Sequence, residues 1–182
     1  MNRDGLIQYL KMLDANLKKQ AKLYIYGGAA LMLLEEETRI SLDIDVAAPY
    51  SDVDYVDFQH ACEAAGIPLN PDVDYAREYI EWVGPLRLCL PKPDPETDLT
   101  LWRGSNLTVQ TGAPAKLVAS KLIRYDATDQ SDIHFLCFQH KLQFDQVRQA
   151  VAELPPPFRT DILVLENLEA LRVDMHQWRQ TS

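Results

Sequence analysis

The feature that most narrows what this chain can fold into is a short apolar segment, Leu23-Tyr24-Ile25-Tyr26, that stops at Gly27-Gly28. β-Branched and aromatic residues ending at paired glycines read as a strand running into a tight turn. The next residues, 29–37, are apolar first and acidic last, as in a short helix. Residues 43–48 (DIDVAA) alternate charged and apolar side chains before Pro49, which predicts a strand with one polar face. Strand, glycine turn, helix and a second, charged strand within 26 residues commit the first third of the chain to an α/β arrangement.

The alternation has a chemical consequence. Residues i and i+2 of a strand share a face, so Asp43 and Asp45 point the same way while Leu42, Ile44 and Val46 point to the other. Two carboxylates so close repel unless a cation lies between them. Hard oxygen donors suit magnesium or manganese, which take the rest of their shell from water and substrate phosphates. The Gly27-Gly28 turn allows close approach of such a phosphate.

Further along, leucines at 6, 10, 13 and 17 predict an amphipathic helix over 4–20, and residues 52–65 a helix ending at Gly66. Strand signals follow at 79–83, 86–90, 99–102 and 107–109, with a proline-broken loop at 91–98. Helices are predicted from Pro114 to about 125, near 128–140, near 143–154 and, after three prolines, near 160–178. In the last of these, Ile162, Leu165, Leu168 and Leu171 are read as one apolar face. The expected fold is therefore α+β, a mixed sheet flanked by helices over 1–112, with a C-terminal helical portion, 113–182, packed on it.

Charge and composition exclude several classes. Residues 1–34 carry net +3, residues 35–98 net −12, and the remainder is neutral. So acidic a middle argues against a non-specific nucleic-acid binder. No apolar run reaches the length of a spanning helix, so no membrane partner is expected. Three widely spaced cysteines without a CxxC pair read as buried thiols of a cytoplasmic protein. The four histidines form no ligand spacing, and no GxSxG motif is present.

The stretch LYIYGGAALMLLEEETRISLDIDV (23–46) resembles the first motif of the DNA polymerase β-like nucleotidyltransferase superfamily, in particular its minimal bacterial branch of abortive-infection-type toxins. The matching residues are Gly27, Gly28, Arg39, Ser41, Asp43 and Asp45. A second stretch, KLVASKLIRYDATDQSDIHFL (116–136), is similar to the branch's lysine-bearing helix and Asp-x-x-Asp run, through Lys121, Arg124, Asp129 and Asp132. The resemblance implies magnesium-dependent transfer of a nucleoside monophosphate from an NTP to a hydroxyl on RNA, such as a tRNA 3′ end, on protein or on a small molecule. It implies metal held by Asp43 and Asp45, and nucleotide met by Gly27, Gly28, Arg39, Ser41, Lys121, Arg124, Asp129 and Asp132. A toxin with a cognate antitoxin is one expectation; the other is a degenerate module, or an antitoxin, acting through a partner protein.

Lys121 flanks the stripe of Val118, Leu122 and Tyr125, so its stem can lie on the core with the ammonium over a phosphate. Asp129 and Asp132, three apart on one helix, either position Lys121 or Arg124 or serve as solvated capping residues. The resemblance further implies a catalytic third acid on a later strand. Glu81, flanked by Ile80 and Trp82, fits that pattern; Asp98 and, less well, Asp74 are the other candidates.

Overall fold

A computed structural model describes residues 1–36, 38–72 and 75–181, the side chain of Thr181 excepted. The chain divides into two compact units: Met1–Leu88 with Asp98–Thr111, and Cys89–Thr97 with Gly112–Ser182. The segment 89–97 thus joins the helical unit, where Lys116 Nζ donates to the carbonyl of Lys92 at 2.8 Å.

The first unit is built on a five-stranded mixed sheet. Its strands are β1 (Ala21–Tyr26), β2 (Asp43–Ala47), β3 (Tyr79–Val83), β4 (Leu99–Arg103) and β5 (Leu107–Thr111), in the order β3-β2-β1-β5-β4. β1 pairs antiparallel with β2 and parallel with β5; β2–β3 is parallel and β4–β5 antiparallel. As the central strand, β1 buries Leu23, Tyr24 and Ile25 in succession rather than alternately. Helix α1 (Arg3–Asn16) buries Leu6, Leu10 and Leu13 and packs against α3 (Tyr55–Ala65). Helix α2 (Gly27–Leu33) follows β1 without a linker and lies against β1 and β2.

The second unit holds α4 (Pro114–Lys121), α5 (Ala127–Gln139), α6 (Phe144–Ala152) and α7 (Ile162–Thr181). Asn167 Nδ2 donates to the Leu122 carbonyl at 2.7 Å and the Tyr125 hydroxyl to Asp174 at 2.5 Å, tying α7 to the α4–α5 turn. The class is mixed α+β with helices at the C-terminal end. No helix of the described residues is long and apolar enough to cross a membrane.

Three expectations need correcting. Residues 86–90 form no strand, because Gly84-Pro85 closes a turn in which Arg87 N–H donates to the Gly84 carbonyl at 3.1 Å, leaving Leu86 93% exposed. The helix from Pro114 stops at Lys121 instead of continuing to 125, where Tyr125 takes φ +53°. The apolar face read for α7 is also misplaced. Each three-residue step falls about 60° short of a turn, so residues spaced 162, 165, 168 and 171 wind half-way round the helix. Ile162 and Leu165 are exposed, whereas Val164, Leu168, Leu171 and Met175, at four-three-four spacing, are buried.

Candidate metal centre

Three carboxylates converge on one face of the sheet. Asp43 and Asp45 lie two residues apart on β2, and the parallel register sets Asp43 beside Tyr79 and Asp45 beside Glu81. One oxygen from each of Asp43, Asp45 and Glu81 lies within 4.8 Å of the others, and all three residues are half-buried. Of the three acids the sequence offered for the third position, Glu81 is the one that meets Asp43 and Asp45. Asp98 stands at the start of β4, at the opposite edge of the sheet, where it accepts the Tyr24 hydroxyl at 2.8 Å. Asp74 lies outside the described residues.

The glycine turn is shaped by these acids. Gly27 has φ +64°, and a Cβ there would sit 2.2 Å from Asp45 Oδ2. Only glycine combines that backbone with a carboxylate against it. A Cβ at Gly28 would lie 3.0 Å from Ser41 Oγ and 3.2 Å from Arg39 Nη2, so the loop before β2 folds back over the turn. Ser41 Oγ donates to Asp43 Oδ1 at 2.6 Å, which orients that carboxylate. Arg39 Nη1 donates to the Ile40 carbonyl at 2.9 Å.

Sequence reasoning missed two neighbours. Arg87 Nη2 donates to Glu81 Oε1 at 2.6 Å, and that hydrogen bond, with the charge of Glu81, raises the guanidinium above its ordinary value. Its signal lay in the Gly84-Pro85 turn, which sends the chain back toward Glu81. Tyr79 shares the face of Glu81; burial first, then the charges of Asp43, Glu81 and Asp45, pushes its phenol up. The three acids form a set of hard anionic oxygens with a cation beside one member. Such a set fits a divalent ion of the magnesium or manganese type.

The remaining predicted residues cluster in the helical unit. Lys121 is 8% exposed, and its ammonium donates to Asp129 Oδ1 at 3.1 Å and Asp132 Oδ2 at 2.6 Å. Arg124 Nε and Nη2 donate to Asp129 Oδ2 and Oδ1 at 2.8 and 2.9 Å. That bond, more than the charges around it, raises the Arg124 guanidinium further. Asp126 caps α5 by accepting the Asp129 N–H. Asp129 and Asp132 are buried, at 2% and 3% exposure, rather than solvated. They hold Lys121 as a buried ion network, where the sequence placed its ammonium at a phosphate.

The structure thus gathers Gly27, Gly28, Arg39, Ser41, Asp43, Asp45 and Glu81 in the first unit, and Lys121, Arg124, Asp129 and Asp132 in the second. Comparison with protein-family models, with curated proteins and with solved structures finds no match for the chain.

Proposed function

We propose that the chain is a divalent-cation-dependent nucleotidyltransferase, moving a nucleoside monophosphate from an NTP to an acceptor hydroxyl. The observation that carries this reading is the convergence of Asp43, Asp45 and Glu81 within 4.8 Å on paired strands, beside a glycine turn. The motif resemblance in 23–46 supplies the reaction class. A bound magnesium or manganese ion would neutralise triphosphate charge and polarise the α-phosphoryl group. Asp43, Asp45 and Glu81 would hold it.

The chain's own residues supply the rest. Ser41 fixes the Asp43 carboxylate by its hydroxyl. Gly27 keeps the space above Asp45 clear of a side chain. Arg39, over Gly28, offers a guanidinium to the triphosphate. The acceptor oxygen attacks the α-phosphorus, the bond from that phosphorus to the pyrophosphate oxygen breaks, and the hydroxyl proton passes to Glu81. Arg87, paired with Glu81 at 2.6 Å, fixes the orientation of that carboxylate.

The test is label transfer from each α-labelled NTP with magnesium or manganese, to total RNA and separately to cell-extract protein. The Asp43→Ala/Asp45→Ala double variant is the control. Label that depends on both aspartates is expected, and its acceptor separates an RNA-modifying from a protein-modifying enzyme. Manganese binding without transfer would replace the enzyme with a binding module acting through a partner.

A further inference from the structure

The helical unit carries a concavity of about 390 Å³ between α5, the α5–α6 turn and the last turns of α7. That volume is in the range of small-molecule sites. Its walls are mainly apolar and aromatic. His134 stands edge-on to Trp178 with ring centroids 4.7 Å apart. Phe138, 67% exposed, closes one side, and Met175 and Leu142 supply further apolar lining.

The charge of the lining is the second observation. Lys141 and Arg179 contribute to it, and among the described residues no carboxylate does, in a chain with 27 acidic residues and a net charge of −9. Arg179 Nη2 donates to Gln143 Oε1 at 2.8 Å and to the Leu142 carbonyl at 3.4 Å, which fixes the guanidinium at the rim. Its other two nitrogens make no hydrogen bond to the described residues. Lys141 has no side-chain ion pair among them. A neighbouring concavity, also about 390 Å³, shares Met175 and Arg179, adds Arg172 and His176, and again has no carboxylate in its lining. Arg179 is therefore the cation common to both.

We propose that this concavity binds a small amphiphilic anion: a flat apolar body against His134, Phe138 and Trp178, and one acidic group at Arg179 and Lys141. The aromatic walls account for an apolar body, and the acid-free pair of cations for the anionic group. A volume of about 390 Å³ suits a compact molecule rather than a peptide helix. This site is independent of the metal centre.

The probes are 8-anilino-1-naphthalenesulfonate and its uncharged near-isostere N-phenyl-1-naphthylamine, titrated into the full chain with energy transfer from tryptophan as the readout. One equivalent of the sulfonate is expected to bind about tenfold more tightly than the neutral dye. Arg179→Gln with Lys141→Gln should abolish that difference and leave the neutral dye unaffected. Trp178→Phe should cut the energy transfer while binding persists. Lys141→Gln alone, at an exposed position, should lose about threefold in sulfonate affinity, which keeps the test open if Arg179→Gln disturbs the start of α6. Equal affinities for the two dyes, a sulfonate affinity indifferent to both charge variants, or binding without one-to-one saturation would overturn the assignment.

Discussion

At Gly27 the backbone conformation and the Asp45 carboxylate make the same demand. Any β-carbon there meets Asp45 Oδ2 at 2.2 Å while φ stays at +64°. Gly27→Ala is expected to cost roughly 1–3 kcal/mol and to displace Asp45. Urea denaturation should show the loss, and manganese titration a weaker affinity. Gly28→Ala, whose β-carbon would lie 3.0 Å from a serine hydroxyl, should cost less. Lys121 carries the opposite lesson. Its chain position suggested a phosphate contact. Buried between Asp129 and Asp132, it is the cation that makes two interior carboxylates tolerable. Lys121→Ala should therefore destabilise the protein by about 3–5 kcal/mol. An unchanged denaturation midpoint with weakened NTP binding would restore the phosphate role.

Between elements, single side chains do much of the joining. Asp14, in the last turn of α1, accepts backbone N–H groups from Ser105, Asn106 and Leu107 at 2.7–3.0 Å, where β4 turns into β5. Gly104 is glycine because a β-carbon would fall 2.3 Å from the Asp14 carboxyl carbon. Burial pulls the Asp14 carboxyl upward, and the three N–H donors outweigh it, leaving it below its ordinary value of 3.8. A carboxyl depressed by folding contributes stability above its unfolded value and loses that contribution as pH falls through the folded one. Asp14→Asn, which turns an amide N–H toward a donor, should cost roughly 1–3 kcal/mol at neutral pH. The gap between variant and parent should shrink below about pH 4. Denaturant unfolding of both proteins across pH 2.5–7 checks this; a constant gap would mean that Asp14 is not titrating against those donors.

Over the whole molecule, net −12 between residues 35 and 98 includes the three acids of the candidate metal centre. A divalent ion bound only by the folded chain raises its stability by mass action, about 2.7 kcal/mol at a hundredfold excess over Kd. Manganese chloride should raise the melting temperature above that in potassium chloride of equal ionic strength, and Asp43→Ala/Asp45→Ala should remove the difference. In chelator, the double variant should melt no lower than the parent, because like-charge repulsion has been relieved. A manganese shift that survives the double variant would place the cation elsewhere.

What was legible in the chain was local. Alternation in DIDVAA put Asp43 and Asp45 on one face, paired glycines marked the turn, and leucines at helical spacing marked the buried face of α1. Such patterns depend only on backbone geometry repeated over a few residues, so they can be read without knowing the partner. The same alternation in Ile80-Glu81-Trp82 put Glu81 ahead of Asp98 as a candidate, but its meeting with Asp43 and Asp45 could not be read that way. It depends on a parallel pairing across 36 positions, from Asp45 to Glu81, whose register no local pattern encodes. The same holds for Arg87 reaching Glu81. The sequence by itself determined the strand, turn and helix segments and which residues each could offer. Tertiary structure decided which charges meet, because the energy of a charge is set by what surrounds it in space.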